Sequence, residues 1–335
     1  MTDTNFANYG IAFKGCGSYI PSQILSNDNI SEIVETSDDW IKTRTGISNR
    51  RIASINENVT EMGFKAAMAA IEMANWDSDS IDLIVLATST PSDLFGCAPI
   101  IQAKLGAKKA VAFDLTAACS GFLFALITAS QYLRSGSYRR AIVIGADQLS
   151  SYVDWKDRGS CILFGDGAGA FAIEVLNDDN NLYGFKMKTD GDRGNFLNLS
   201  NQNIFENITQ NIKYRKGDFS KIKMNGQEVY KFAVREVPLI INDLLKQTNS
   251  QSSDIDWLVL HQANQRILDA VGERLRINKR RILSNLANYG NTSAATIPLV
   301  FDENVRNKKI KENDLILTSG FGAGLSWGAA LFKWG

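Results

Sequence analysis

Short apolar stretches alternate with longer amphipathic segments along this chain. Mostly apolar runs predict buried β-strands at 83–87, 110–114, 141–145, 257–260 and 315–318. Apolar residues at helical spacing predict helices over 61–74 and 120–133. Nearly continuous apolar strands separated by helices are typical of a sheet that is covered on both faces. The pattern therefore predicts an α/β fold.

The strand pattern repeats once. The residues around Asp82 resemble those around Asp256, which lies 174 positions later, and the strands at 141 and 315 match at the same spacing. One spacing shared by two separate strands predicts two duplicated α/β halves. We place them at residues 1–177 and 178–335.

The same spacing makes a prediction about chemistry. It pairs Cys119 with Ser293, so the loops that carry these residues are expected to lie opposite each other. A cleft between them would be lined by Cys119, His261 and Asn291.

Charge and histidine content narrow the possible functions. The 335 residues include 36 basic and 36 acidic side chains, and this balance argues against a broad surface for nucleic acid or anionic membranes. His261 is the one histidine, which excludes histidine-rich metal sites and mechanisms that need two imidazoles. We expect no metal site.

Cysteine spacing and the absence of long apolar runs indicate a reducing compartment. The four cysteines show no CxxC spacing, which argues against a zinc site or a disulfide framework. The first ten residues contain no basic segment followed by an apolar run, so no secretory signal is expected. The longest apolar stretch, 122–129, is too short to span a bilayer. We expect a cytoplasmic protein.

Cys119 lies where a predicted buried strand gives way to a predicted helix. Free N–H groups and the helix dipole at such a junction stabilise a thiolate, so we expect a lowered thiol pKa. Small neighbouring residues would let a thioester approach. The alternative is a buried structural cysteine, because free cysteines are often buried.

His261 and Asn291 follow in the second half. His261 comes directly after the strand at 257–260, at the strand end where α/β proteins place their sites. Asn291 lies in a predicted turn before a helix, where its amide could donate a hydrogen bond to an oxyanion. An interior histidine and a simple turn with a helix cap are the alternatives. The glycine-rich runs 164–170 and 320–325 match no nucleotide loop and predict tight turns.

Aromatic and basic residues suggest a nucleotide-bearing substrate. Trp40 and Arg44, on a predicted capped helix, and Arg158 would suit an adenine ring and phosphates. A basic cluster that includes Arg266 and Arg274 would suit an acidic partner. Either set could also be ordinary solvent-exposed residues.

Taken in order, the motifs GSYIPS, TSDDWIKTRTGI, DLTAACSGF, DRGS, FGDGAGA, HQANQR, NYGNTSAA and GFGAG resemble the 3-oxoacyl-[acyl-carrier-protein] synthase III family of the thiolase-like superfamily. The resemblance implies a five-layered αβαβα fold with two duplicated halves, assembled as a homodimer. It implies the initiating condensing enzyme of type II fatty acid synthesis, an acyltransferase. An acyl-CoA, with acetyl-CoA as the expected primer, and malonyl-acyl carrier protein would be its substrates, and no cofactor is implied.

The resemblance also implies residue roles. Cys119 would be the acylated nucleophile, with His261 and Asn291 completing a triad. By the same resemblance, the backbone amides of Cys119 and Ala323 would form the oxyanion hole, and Phe95 and Phe164 would lie in the acyl pocket, with Phe95 reaching across the dimer. The residues implied for binding coenzyme A are Thr36, Trp40, Arg44, Arg158, Gly226 and Asn264. Those implied for carrier-protein docking are Lys231, Arg266 and Arg274.

Three positions depart from the family pattern. Ala323 replaces a common glycine, Tyr230 a common phenylalanine, and Glu273 a residue that is basic in some members. The last change weakens the case for carrier-protein docking. Elongating synthases of the superfamily use two histidines, so one histidine favours initiation. The alternatives are a secondary-metabolism ketosynthase or acyltransferase with the same triad, a catalytically silent partner subunit, and an unrelated CoA-binding α/β protein.

Overall fold

The computed structural model describes residues 9–177 and 179–335. Residues 1–8 and Asp178 lie outside the described residues. Residues 1–8 make up most of the segment in which no secretory signal is expected, and Asp178 is the first residue of the predicted second half. In the described ranges, no helix combines the length and apolarity that crossing a membrane requires.

The described strands and helices alternate along most of the chain. The strands are β1 Gly10–Tyr19, β2 Gln23–Ser26, β3 Asn49–Ile52, β4 Leu83–Ala87, β5 Val111–Leu115, β6 Arg140–Gln148, β7 Asp166–Leu176, β8 Leu182–Thr189, β9 Leu197–Asn198, β10 Phe205–Asn207, β11 Lys213–Arg215, β12 Lys223–Met224, β13 Trp257–Leu260, β14 Leu315–Gly322 and β15 Ser326–Lys333. The α-helices are α1 Asn27–Ser31, α2 Asp38–Thr45, α3 Val59–Ala74, α4 Ala98–Leu105, α5 Gly121–Arg134, α6 Gly226–Gln247, α7 Gln265–Leu275, α8 Leu286–Tyr289 and α9 Thr296–Arg306. Short 3₁₀ turns cover Ser78–Ser80, Ala118–Ser120, Leu149–Ser151, Gly191–Phe196, Lys279–Arg281 and Ser293–Ala295.

Two large mixed sheets carry the fold. The first has the order β1-β7-β6-β4-β5, and the second has the order β13-β14-β15-β8. β4 runs parallel to β5 and β6, as β13 does to β14. Every strand of the first sheet precedes residue 178, and every strand of the second follows it.

Helices separate and cover the two sheets. α5 and α9 pack between them, since α5 contacts strands of both sheets and α9 contacts β1, β7 and β13. α3 and α4 cover the outer face of the first sheet, and α6, with α7 against it, covers the second. The result is a five-layered αβαβα arrangement, as the family resemblance implies.

A cluster of aromatic side chains fills the central layer. The rings of Phe122, Phe301 and Phe332 surround Phe171 at centroid distances of 5.0, 4.8 and 6.3 Å. All four side chains are buried, and burying one such ring contributes about 1.5–3 kcal/mol relative to exposure. This core joins both sheets to the helices between them.

The predicted strands and helices are confirmed, with ends that differ by a few residues. Two other predictions, the burial of β5 and a tight turn at residues 164–170, are wrong. β5 lies at the edge of its sheet with Val111 47% exposed, whereas a buried strand was expected. The glycine-rich run 164–170 is mostly the start of β7, whereas a tight turn was expected. The run 320–325 does contain a turn, between β14 and β15.

Candidate active site

Cys119 lies in the 3₁₀ turn Ala118–Ser120, between β5 and the first residue of α5. This is the strand-to-helix junction that the sequence predicts. β14 passes directly beside the turn. A Cβ atom at Gly322 would lie 2.6 Å from the backbone nitrogen of Cys119, so a residue without a side chain is needed there. The thiol is buried as a result.

The expected lowering of the Cys119 pKa is wrong for this structure. Burial, with a smaller contribution from the nearby Asp147 carboxylate, raises the pKa of Cys119 to about 12. Hydrogen bonds from Ser293 and from the backbone act in the opposite direction but are outweighed. Desolvation disfavours the charged form of any acid, and here it exceeds the effect of the helix terminus. Cys119 is therefore a neutral thiol near pH 7.

Ser293 lies opposite Cys119, as the 174-residue spacing predicts. The Ser293 hydroxyl donates a hydrogen bond to Cys119 Sγ over 3.4 Å. Ala294, the next residue, donates its backbone N–H to Asp147 over 3.2 Å. Residues from both sides of position 178 therefore meet at Cys119.

Asp147 is a buried carboxylate that the sequence reasoning missed. It accepts hydrogen bonds from the hydroxyls of Thr88 and Thr90 and from the backbone N–H of Ser89, at 2.7–3.1 Å. Burial raises its pKa, against the lowering effect of these bonds. An acidic residue within the apolar run of β6 was the available signal, because unpaired carboxylates are almost never fully buried.

His261 follows β13 directly, as expected. Its backbone N–H donates to Ser319 on the parallel neighbour β14, over 2.9 Å. The ring packs edge-on against Phe321 with centroids 5.2 Å apart, and Nδ1 lies 2.7 Å from Thr296 Oγ1. Burial lowers the pKa of His261 to about 3, so the imidazole is neutral near pH 7.

Asn291 is held from both sides. Its N–H donates to Leu163 over 2.9 Å, and its carbonyl accepts from the N–H of Gly165 over 3.0 Å. Its side-chain Oδ1 accepts from the backbone N–H of Ser293 over 2.9 Å. Because Oδ1 is engaged, the amide NH₂ is the end of Asn291 left to donate into the cavity.

Two cavities meet at Cys119. One, of about 470 Å³, is lined by Cys119, His261 and Asn291, so the structure brings together the three residues that the sequence singled out. The other, of about 770 Å³, is lined by Cys119, Ser293 and Ala323. The implied acyl-pocket residues also line this larger cavity: Phe95, which is fully exposed at its rim, and Phe164, which lines both.

Most of the residues implied for coenzyme A lie along the smaller cavity. Trp40, Arg44, Gly226 and Asn264 line it. The guanidinium groups of Arg44 and Arg158 lie 5.0 and 4.8 Å from the centroid of the Trp40 ring.

Asn264 also makes structural hydrogen bonds, and Thr36 lies outside both cavities. The Asn264 amide caps α7 by accepting from the N–H of Arg266, and it donates to the Arg44 carbonyl over 3.1 Å. Asn264 therefore also joins α7 to α2. Thr36 lines neither cavity, and within the described residues its buried hydroxyl has no partner.

The three residues implied for carrier-protein docking lie on α6 and α7. Arg266 lines the smaller cavity, and its guanidinium lies 5.4 Å from the Tyr230 ring centroid. Lys231 pairs with Glu228 at 2.7 Å on the exposed face of α6. Arg274 lies in the last turn of α7 and is exposed. Lys231 and Arg274 line neither cavity.

Comparison with known proteins identifies the family of this chain. Residues 113–191 match the family described as 3-Oxoacyl-[acyl-carrier-protein (ACP)] synthase III, and residues 245–334 match its C-terminal region. The chain is 70% identical to the Beta-ketoacyl-[acyl-carrier-protein] synthase III of Prochlorococcus marinus subsp. pastoris over 335 residues, all of both chains. The chain belongs to the 3-oxoacyl-[acyl-carrier-protein] synthase III family.

Solved structures of similar proteins show the same fold. The 3-oxoacyl-[acyl-carrier-protein] synthase III of Aquifex aeolicus superposes with a TM-score of 0.89 at 40% identity, covering 97% of this chain and 100% of that one. A priming beta-ketosynthase from a polyketide biosynthetic pathway gives a TM-score of 0.90 at 32% identity, covering 98% and 97%. The thiolase-like fold predicted from the sequence is confirmed.

Proposed function

We propose that this synthase III uses Cys119, His261 and Asn291 to start fatty acid synthesis by joining an acyl group from acyl-CoA to malonyl-acyl carrier protein. The observation that carries the proposal is that these three side chains line one cavity, although they lie far apart in sequence. Nucleophile, imidazole and amide are the groups that a decarboxylative condensation needs.

In the first half-reaction, Cys119 attacks the thioester carbonyl of acyl-CoA, for which acetyl-CoA is our choice. The backbone N–H groups of Cys119 and Ala323 stabilise the oxyanion. The carbon–sulfur bond to coenzyme A breaks, and the proton lost by the Cys119 thiol ends on the coenzyme A thiol. Because the pKa of Cys119 is raised to about 12, we expect deprotonation to accompany substrate binding rather than precede it.

In the second half-reaction, malonyl-carrier protein enters the smaller cavity. Its thioester carbonyl accepts hydrogen bonds from His261 and Asn291, which stabilise the enolate formed as carbon dioxide leaves. The carbanion attacks the acyl-Cys119 carbonyl, and the carbon–sulfur bond to Cys119 breaks. The product is a 3-oxoacyl-carrier protein, and Cys119 regains a proton from solvent.

We assign the supporting roles by the same resemblance. Trp40 and Arg158 hold the adenine of coenzyme A, with Thr36 and Arg44 nearby. Gly226 and Asn264 line the pantetheine tunnel, and Lys231, Arg266 and Arg274 meet the acidic carrier protein. Phe95 and Phe164 limit the acyl group, with Phe95 reaching into a partner subunit.

We also propose the larger-scale properties that the family implies. The chain divides into halves at 1–177 and 178–335, forms a homodimer and acts in the cytoplasm. Its four cysteines are free, which agrees with a reducing compartment. The reaction uses coenzyme A thioesters as substrates and needs no cofactor.

A ketosynthase of secondary metabolism with the same triad is the second candidate. The similarity to a priming ketosynthase of a polyketide pathway favours it. Both candidates predict acylation of Cys119, but they differ in the acceptor of the acyl group. Only the first predicts a 3-oxoacyl product from malonyl-carrier protein of fatty acid synthesis.

Mass spectrometry tests the proposal directly. After incubation with acetyl-CoA, the wild-type chain and a Cys16→Ala control should gain one acetyl group, whereas Cys119→Ala should gain none. Cys16 is a matched control because it is also buried but lines neither cavity. Adding malonyl-carrier protein should release a 3-oxoacyl product only from the first two. A Cys119→Ala variant that still condenses would overturn the proposal.

A further inference from the structure

Thr296, the first residue of α9, makes a hydrogen bond with Nδ1 of His261. Its hydroxyl oxygen lies 2.7 Å from His261 Nδ1 and 2.9 Å from the carbonyl oxygen of Ser293. Thr296 is 2% exposed and His261 is 1% exposed, so water does not compete for these groups. Thr296 is not among the residues that line either cavity. Thr296 therefore contacts His261 from outside the two cavities.

The hydroxyl has one hydrogen and two acceptors within reach. If it donates to the Ser293 carbonyl, Nδ1 must carry the ring hydrogen, and Nε2 is left as a bare acceptor. If it donates to Nδ1, the hydrogen of the neutral ring lies on Nε2, which becomes a donor. The direction of one hydroxyl therefore decides what the imidazole presents to the cavity.

We propose that Thr296 donates to Nδ1 and thereby holds His261 in the tautomer that carries its hydrogen on Nε2. Two observations favour this direction. The contact to Nδ1 is the shorter one, and the Ser293 carbonyl already accepts the backbone N–H of Thr296, so it stays satisfied when the hydroxyl turns away. In the described part of the chain, Thr296 is the one hydrogen-bond partner of Nδ1.

The inference deepens the proposed function and rests on it, because that mechanism needs Nε2 as a donor to the thioester carbonyl. The opposite tautomer would place a lone pair against the developing oxyanion and repel it. A wrong histidine tautomer is known to cost an enzyme several orders of magnitude in rate. Thr296 is in this sense a positioning residue that does not itself contact the substrate.

The single histidine makes the tautomer directly measurable. With ¹⁵N-labelled histidine, the chain has one imidazole and so one pair of ring nitrogen signals. In the wild-type protein near pH 7, we expect a protonated signal for Nε2 and an unprotonated, hydrogen-bonded signal for Nδ1. A hydrogen on Nδ1 would overturn the proposal, and this result needs neither a variant nor catalysis.

Two substitutions then separate positioning from folding. Thr296→Val keeps the shape but removes the hydroxyl, and Thr296→Ser keeps the hydroxyl. In Thr296→Val, we expect the Nε2–H signal to weaken and malonyl decarboxylation to fall by about 10- to 100-fold, as for other outer hydrogen-bond partners. Acetylation of Cys119 should stay close to wild type, because it does not use the Nε2–H donor. Thr296→Ser should restore both.

The outcomes distinguish the two proposals. Equal loss of acetylation and decarboxylation in Thr296→Val, or no change in either, would contradict the role of Thr296. A wild-type protein that is acetylated but forms no 3-oxoacyl product would contradict the proposed function, while the NMR signals would still decide the tautomer.

Discussion

At the scale of single residues, burial acts in opposite directions on the two ionisable groups of the site. It raises the pKa of Cys119 to about 12 and lowers that of His261 to about 3. Desolvation penalises the charged form in each case, so thiol and imidazole are both neutral near pH 7. A thiolate–imidazolium pair is therefore not the resting form of this site, and we expect the thiol to ionise only when a thioester is bound.

His261→Ala should separate the two half-reactions. Cys119 should still accept an acetyl group, because that step relies on backbone N–H donors. Decarboxylation of malonyl-carrier protein should fall by about 10²- to 10³-fold, the usual loss for one oxyanion donor. Intact-mass measurement follows the first step and carbon dioxide release the second. Normal condensation by this variant would refute the assignment of His261.

The neutral histidine also makes stability depend on pH. The unfolded chain binds a proton at His261 below its ordinary pKa of 6.5, whereas the folded chain binds it only near pH 3. The stabilising contribution of the neutral His261 is therefore fully present above pH 6.5. It is lost as the pH falls toward 3, by up to about 1.4 kcal/mol per pH unit.

Comparison with His261→Gln isolates this contribution. Carboxylates titrate in the same range in both proteins, so their contribution cancels in the comparison. The urea-unfolding free energy of the wild type minus that of His261→Gln should therefore fall as the pH drops from 7 to 4. A difference that does not change with pH would show that His261 has an ordinary pKa in the folded chain.

At the scale of elements, glycines in the strands allow helices and loops to approach closely. In β7, a Cβ atom at Gly169 would lie 2.8 Å from the Pro298 side chain of α9. In β6, a Cβ atom at Gly145 would lie 2.4 Å from the carbonyl oxygen of Ala294, the residue after Ser293, which contacts Cys119. The glycine-rich run 164–170 was expected to form a turn because glycine permits one. In the folded chain, its glycines serve packing instead.

Gly145→Ala should therefore damage both stability and activity. The added methyl group meets backbone, which cannot move aside as a side chain can, so we expect a loss of about 1–3 kcal/mol in the free energy of unfolding. Gly191→Ala is the matched control, since a Cβ atom there has nothing within 4 Å. Urea unfolding compares the two, and equal stabilities would contradict this account of β6.

At the scale of the whole molecule, β5 leaves one edge of the first sheet uncovered. Val111 is 47% exposed on this edge strand, and Leu94 and Phe95, on the loop between β4 and α4, are 79% and 101% exposed. Edge strands expose unpaired backbone groups that can pair with another chain. The proposed homodimer would cover this surface and complete the wall of the acyl pocket.

Sedimentation velocity tests the dimer and its location. The wild-type protein should sediment at twice the chain mass of 36.9 kDa. Val111→Lys should weaken the dimer by placing a charge on the β5 edge. Leu239→Lys, at a residue of α6 that is 51% exposed, should not. A monomeric wild-type protein, or equal effects of both substitutions, would exclude this interface.

The proposed docking of the carrier protein depends on Arg266, which lines the smaller cavity. Arg266→Glu should raise the KM for malonyl-carrier protein roughly tenfold at low salt, and less at high salt, because rim charges act through screened electrostatics. Acetylation by acetyl-CoA should change much less. Lys311→Glu is the control, because it lies just before β14, at the end of that strand away from Cys119. Equal KM changes in both variants would contradict docking at Arg266.

Much of the site was predictable because it follows from local patterns. The apolar run before His261, the strand-to-helix junction at Cys119 and the spacing between Cys119 and Ser293 are all visible in the sequence. Asp147 and Thr296 were missed because their partners are distant in the chain. Thr296 also lies outside both cavities. No spacing rule indicates such a partner.

The sequence by itself predicted the five apolar strands and two of the helices. It also showed the 174-residue spacing and excluded any mechanism with two imidazoles. These follow from periodicity and residue type, which are local properties of the chain. Only the tertiary structure decided that Cys119 is a neutral thiol, that β5 is an edge strand and that Thr296 contacts His261. Burial, strand order and side-chain contacts depend on which distant segments pack together, and both protonation and tautomer depend on that packing.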